Sequence, residues 1–200
     1  MCLNLRRYNV VIVESVGLGQ SEVDIDMAVD MLLVIVPPGG GDSLQASKKG
    51  IMEAADMIVV NKADGSLLSA AKHTKADYSG AMQFIRQKYN PWRSPVMMMS
   101  ARTGEGVDEV FQKIFEFHSI MVDAKLLQKK RSDQSIHWMW GQLKRQVVAH
   151  VIESSGVQEV SVHLNREVEM GHITPRAAAA ALLGRFYKDI SELENVKSVS

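Results

Sequence analysis

Met57-Ile58-Val59-Val60-Asn61-Lys62-Ala63-Asp64 is the stretch on which the fold turns. Four apolar residues, two of them valine, run without interruption into a polar loop. So short an apolar run, with no polar alternation, reads as a parallel strand covered on both faces. Val10–Val13, Met31–Val36 and Val96–Met99 have the same character. Helical stretches alternate with them: Ser43 to Ala55, then Leu67 to Tyr89 with Tyr78, Met82 and Ile85 on one face, ended by Asn90-Pro91. After Gly104-Glu105-Gly106, the residues Val107, Val110, Phe111, Ile114 and Phe115 recur at the helical period and predict an amphipathic helix on the sheet. Strand–helix alternation implies an α/β fold with a parallel sheet and right-handed crossovers.

In such sheets ligands bind outside the carboxyl ends of the strands. Asn61-Lys62-Ala63-Asp64 and Ser100-Ala101-Arg102 each follow the end of an expected strand. The Asp64 carboxylate can accept two hydrogen bonds side by side, and guanine offers two donors at N1 and N2, a pattern adenine lacks. A site built to pair those donors rejects a base without them, because its own polar groups are left stranded. Asn61 suits the purine edge and the Lys62 stem suits the ring face. Backbone N–H groups of the Ser-Ala pair suit the guanine carbonyl. The bland reading of Asn-Lys-Ala-Asp is a helix-capping turn.

The 200 residues allow one domain with appendages. Acidic and basic residues balance at 23 each, so no global field points to nucleic acid or an anionic membrane. A single cysteine, Cys2, excludes an internal disulfide and a cysteine metal cluster. No apolar run approaches the ~18 residues of a membrane span. No targeting signal is visible, since Val10 already reads as strand.

From about Ala124 the pattern is helical only. Trp140, Leu143, Val147 and Val151 form one apolar stripe, beside Trp138 and Met139. Thr174-Pro175 predicts an N-cap and first-turn proline for a helix through Ala177–Ala181 to Phe186. This divides the chain into a sheet domain over 1–122, a helical extension over 123–188 and a polar, fraying tail over 189–200. The extension folds back on the sheet or pairs with a second copy.

Glu14 closes the first expected strand, and Gly17, Gly19 and Gln20 follow it. An acid at that position in a nucleotide domain orients Mg²⁺ or its water, glycines let a loop approach a phosphate, and a glutamine can position an attacking water. The alternative is a strand-to-helix turn with incidental acids. Pro37-Pro38-Gly39-Gly40-Gly41-Asp42 ends the second expected strand and serves either as a rim loop, a partner contact or a plain turn. The six histidines show no zinc-like spacing. The basic face with Lys125, Lys129, Lys130, Arg131, Lys144 and Arg145 reads as a solvated helix face or a contact for an acidic partner.

Four segments carry a resemblance: Val11–Asp26 (VIVESVGLGQSEVDID), Val34–Gln45 (VIVPPGGGDSLQ), Gly50–Asp64 (GIMEAADMIVVNKAD) and Ser100–Gly106 (SARTGEG). They resemble the GTPase chaperones of cobalamin-dependent methylmalonyl-CoA mutase, the methylmalonic aciduria type A family within the metal-chaperone class of P-loop GTPases. The likeness runs over nearly the whole chain, including the tryptophan-bearing helix and Gly171–Arg185. It implies a homodimeric GTPase that uses GTP/GDP and Mg²⁺, binds the mutase, gates delivery of adenosylcobalamin and protects the mutase, meeting adenosylcobalamin only through that partner. It implies dimerisation through the helical extension, and a mitochondrial matrix location in an animal or a cytoplasmic one in a bacterium.

Position by position, the resemblance makes Glu14 the Mg²⁺-side acid, with Glu14 and Gln20 catalytic. Gly17 and Gly19 match the switch loop. Asn61, Lys62 and Asp64 match the guanine-specificity motif, and Ser100, Ala101 and Arg102 the second base loop. The family's phosphate-binding loop has no counterpart, for Gly-Lys occurs nowhere in the chain. The expectation is therefore an incomplete, N-terminally truncated P-loop GTPase-type sheet, without its first strand and phosphate loop. The rival expectation is a catalytically inactive subunit acting as a dimerisation or mutase-binding module. A nickel or cobalt chaperone is disfavoured by the lack of histidine- or cysteine-rich stretches.

Overall fold

Met57–Val60, expected as a doubly covered strand, is wholly buried, with Met57 and Val59 at 0% exposure. The computed structural model describes residues 8–15, 25–39 and 49–197. Within them the chain runs β1 (Leu33–Val36), α1 (Lys49–Ala54), β2 (Met57–Val60), a 3₁₀ turn (Gly65–Leu67), α2 (Leu68–Met82), β3 (Val96–Met98), α3 (Val107–Asp123), α4 (Leu126–Glu153), α5 (Ser155–Glu169) and α6 (Pro175–Lys197). The three strands are parallel in the order β1-β2-β3. The α/β class with a parallel sheet and C-terminal helices is the one the sequence implies.

Register decides which side chains meet. Val34, Ile58 and Val96 stand in one row, and Val36, Val60 and Met98 in the next. Successive residues of a strand point to opposite faces. Ile58 accordingly packs with Met52 of α1, with Ala55 just after it and with Tyr78 of α2, while Met57 and Val59 pack against Val110 and Ile114 of α3. Helices thus cover both faces of β2, which is why it tolerates no polar residue.

Val10–Val13 departs from expectation. It joins no strand of the sheet, and Ile12 and Val13 are 78% and 62% exposed. A strand needs neighbouring backbone groups and apolar cover, and this run has neither among the described residues. The helix expected to reach Tyr89 ends at Met82. Gln83, Phe84 and Ile85 bond back to Gly80, Ala81 and Met82 carbonyls, a tightening 3₁₀ turn. Tyr89 instead bridges Trp92 across Asn90-Pro91, and the Trp92 indole donates to the Asp56 carbonyl at 2.8 Å. Trp92 then meets Phe117 of α3 edge-on, ring centroids 5.1 Å apart.

Beneath the sheet's lower end lies a buried charge cluster. Asp56, 0% exposed, accepts from the Leu32 N–H at 2.8 Å. Lys88 Nζ stands 2.8 Å from its other oxygen, an ion pair without the direction of a hydrogen bond. Lys130 of α4 reaches Asp26 at 2.9 Å and Asp56 at 3.8 Å. Burial pushes the Asp56 carboxyl up, against the pull of Lys88 and Lys130. Burial also raises the neighbouring Tyr89 phenol to about 12. Arg131 grips Asp30 through two hydrogen bonds, 2.9 and 2.6 Å, which hold Asp30 below the ordinary carboxylate range. The basic face read as solvated is therefore partly internal: Lys130 is 8% exposed.

The chain separates into two compact units, Met1–Ser135 and Ile136–Ser200. In the second, α5 and α6 form a helical hairpin. Gly171 (φ 71°) caps α5: its N–H bonds Val168 O at 3.0 Å, and the His172 N–H bonds Glu167 O at 2.9 Å. Thr174 Oγ1 accepts from the Ala177 N–H at 3.2 Å, with Pro175 in the first turn, as the sequence predicts. Ser154, at the start of α5, bonds the Asp189 carboxylate, which also pairs with Arg185 at 3.2 Å. Any side chain on Gly156 would collide with that pair. From Asp189, where the sequence suggests fraying, the described backbone is helical to Lys197, and Asp189 bonds the Ser154 hydroxyl ahead of α5. On α4, Trp140, Leu143 and Val147 are 54%, 46% and 51% exposed. No helix among the described residues is long and apolar enough to cross a membrane.

Removing one member of a buried ion pair strands its partners, at roughly 3–5 kcal/mol. Asp56→Ala is expected to lower the unfolding free energy by about 3 kcal/mol, the low end because Lys88 keeps some solvent contact. Urea unfolding followed by tryptophan fluorescence measures this; an unchanged midpoint would show that the cluster contributes nothing.

Candidate functional site

Because β2 and β3 are parallel neighbours, the loops at their carboxyl ends lie side by side. The Met99 N–H donates to Val60 O at 2.9 Å and the Ala63 N–H to Met99 O at 3.1 Å, so the two loops are stitched by backbone before any side chain acts. The Asn61 N–H donates to Val36 O at 2.9 Å, tying the same loop to β1. Lys62 adopts φ 59°, left-handed and unusual for lysine, and this turn brings Asp64 round to face the second loop.

Asn61 Oδ1 accepts from the Lys62 N–H at 2.7 Å and the Ala101 N–H at 3.0 Å. Two N–H donors on one atom settle the amide's orientation and leave its NH₂ to face outward. The Ser100 hydroxyl, 1% exposed as a residue, donates to Asp64 Oδ2 at 2.5 Å and accepts from the Thr103 N–H at 3.1 Å. Arg102 donates to Asp64 Oδ1 from the solvent side. Gly106 supports this loop from below. At φ 77° it lies so close to β3 that a Cβ would stand 2.4 Å from Met98 O.

Asn61, Lys62, Asp64, Leu67, Ala101 and Arg102 line a cleft of about 330 Å³. That is the low end of ligand-pocket sizes, fitting a flat base better than a whole nucleotide. Paired carboxylate acceptors, an outward amide donor and an apolar wall from Leu67 match a heterocycle with adjacent N–H donors beside a ring acceptor. Guanine has that pattern and adenine does not.

Five of the expected base-site residues therefore converge on the cleft, and Ser100 lies beneath them as support. The Ser-Ala N–H groups expected at the base carbonyl bond within the protein, Ser100 with Glu105 O at 2.8 Å and Ala101 with Asn61 Oδ1 at 3.0 Å. Glu14 lies in the exposed 8–15 segment and is not part of the cleft lining. Gly17, Gly19 and Gln20 lie outside the described residues. Sequence reasoning missed Leu67 and Gly106. The Gly-x-Gly ahead of α3 signals a tight approach, whereas an exposed leucine before a helix signals nothing by itself.

The family described as "Methylmalonyl Co-A mutase-associated GTPase MeaB" matches residues 2–156. The "Methylmalonic aciduria type A homolog, mitochondrial" of Mus musculus is 37% identical over 179 residues, 90% of this chain and 43% of that protein. "GTPase ArgK" of Escherichia coli is 34% identical over 175 residues, 88% of this chain and 53% of that protein. A crystal structure of "LAO/AO transport system kinase" superposes with a TM-score of 0.67 at 31% identity, covering 88% of this chain and 57% of that one. The chain spans about half the length of the curated relatives it matches.

Gly106→Ala forces a side chain against β3 backbone at a left-handed φ, an expected loss of about 1–3 kcal/mol. Urea denaturation reads it directly; wild-type stability in this variant would mean the loop is not braced there.

Proposed function

The chain belongs to the methylmalonyl-CoA mutase-associated GTPase family, and on that premise we propose that it reads the guanine base of GTP and GDP as part of a mutase chaperone. The carrying observation is the Asp64 carboxylate, held by Ser100 from below beside the outward amide of Asn61. Asp64 accepts guanine N1–H and N2–H, Asn61 donates to the purine edge, and the Lys62 stem covers the ring. The family description names the mutase, which supports methylmalonyl-CoA mutase as partner. Gating of adenosylcobalamin delivery and protection of the mutase are the roles we assign to the assembled chaperone, with adenosylcobalamin held by the mutase and not by this chain.

GTP hydrolysis is part of the proposal: Glu14 on the Mg²⁺ side, Gln20 positioning water, and Gly17 and Gly19 as the counterparts of the switch-loop glycines. Mg²⁺, when bound, neutralises phosphate charge. Among the described residues no three carboxylate, histidine or cysteine side chains converge on a metal position, so Glu14 is the one described candidate and no step is built on it. We divide the chain into a partial GTPase domain, 1–122, and a helical extension from 123, and place the protein in the mitochondrial matrix if its source is an animal, cytoplasmic if bacterial. The names of the mouse and nematode relatives carry the word mitochondrial.

A second reading, a catalytically inactive dimerisation or mutase-binding module, is favoured by one observation: the Trp140–Leu143–Val147 stripe stands half exposed on α4. Both readings predict a homodimer through the helical extension.

Asp64→Asn replaces an acceptor by an amide donor. GDP affinity is expected to fall at least about tenfold, and xanthosine diphosphate, with a carbonyl where guanine has an amine, to gain by a similar factor. Calorimetric titration of both nucleotides and of ADP decides it; equal GDP and ADP affinity in the wild type would overturn the base assignment. Sedimentation addresses the second interface: the chain of 22.2 kDa is expected to run as a dimer, and Leu143→Lys with Val147→Lys as a monomer. A monomeric wild type at micromolar concentration would exclude that surface.

A further inference from the structure

Both oxygens of the Asp64 carboxylate are occupied without any base present. Ser100 takes Oδ2 from the buried side, and the Arg102 guanidinium takes Oδ1 from the mouth of the cleft. The two partners differ in kind. Ser100 is 1% exposed and holds the carboxylate in place, while the Arg102 side chain is 76% exposed and free to leave. The guanidinium also lies across the cleft towards the 3₁₀ turn: a Cβ on Gly65 would stand 3.7 Å from Arg102 Nη2.

Chemically, the N1–C2–N2 edge of guanine is itself a guanidine unit, with N–H donors in one plane. Arg102 therefore offers the carboxylate the same planar donors that a guanine edge would bring, and from the side on which a base would enter. Resting on the guanine-reading assignment of Asp64, we propose that Arg102 is a latch that mimics the base: it caps Asp64 in the empty site and has to be displaced before guanine pairs. Its closed state lowers the apparent affinity by the fraction of molecules in which Asp64 is uncovered.

An exposed arginine–carboxylate pair is weak, so the latch is shallow. Freeing Asp64 should tighten base binding roughly two- to sixfold. Salt weakens exposed pairs, so the gain should shrink as ionic strength rises. The opposite role, an arginine that stacks on the base or touches the ribose, would make its removal weaken binding.

The test uses the full chain, with guanosine and adenosine as probes. Guanosine is uncharged, so losing the Arg102 charge does not alter long-range attraction. Amide chemical-shift titrations of the wild type, Arg102→Met and Arg102→Lys at low and high salt give the affinities. The expected result is guanosine preferred over adenosine in all three. Arg102→Met should be two- to sixfold tighter than wild type at low salt and nearly equal to it at high salt, with Arg102→Lys between. Weaker or unchanged guanosine binding in Arg102→Met at low salt overturns the latch while leaving the guanine reading intact. Loss of the preference for guanosine in the wild type overturns the guanine reading and the latch together.

Discussion

Every layer of the sheet domain is referred to β2. Its backbone is hydrogen-bonded to a parallel neighbour on each edge, and its side chains are covered by α1 and α2 on one face and by α3 on the other. Such a strand cannot slip, because a shift of one residue would exchange Ile58 and Val60 with Met57 and Val59 and empty both cores. The polar loop that begins at Asn61 inherits that precision. Asp64, three residues on, is thereby given a fixed origin by the buried strand.

The same constraint explains what was legible in the sequence. β2, β3 and the loops after them are read from contiguous residues, because doubly covered strands are apolar throughout and the loop chemistry follows at once. The Thr174-Pro175 start of α6 and the Gly171 end of α5 are equally local. Val10–Val13 misled for the same reason: an apolar run says that a segment can be a strand, not that an edge is there to receive it. Tyr89 kept a spacing compatible with helix, yet its bridge to Trp92 and the pull of the Trp92 indole on Asp56 O outweighed the period.

What stayed hidden depends on partners distant in sequence. Asp56 looks like an ordinary acid before a strand, and only the packed chain places Lys88 and Lys130 against it. Lys130 and Arg131 belong to a run that reads as a solvated basic face. The structure divides that run: Lys130 turns inward to Asp26 and Asp56, whereas Arg131 holds Asp30 at the surface. The first turns of α4 are thereby fastened to the sheet domain by charge.

The candidate site divides along similar lines. Asn61 and Ser100 spend their polar atoms on the protein itself, Asn61 on the backbone of both loops and Ser100 on Asp64 and Thr103. Their bonds hold the two loops in register within the protein itself. The Asp64 carboxylate and the Asn61 NH₂ are polar groups facing the cleft, and the proposed base reading rests on them. A base-sized cleft supplies selectivity more than affinity, because the strong contacts of a nucleotide are made to its phosphates. The link from reader to remainder runs through the backbone: the Asn61 N–H binds Val36 O, and after Pro37-Pro38 the Gly39 N–H binds Thr74 Oγ1 at 3.1 Å. The start of the segment leaving β1 is thus registered to the Asn61 turn on one side and to α2 on the other.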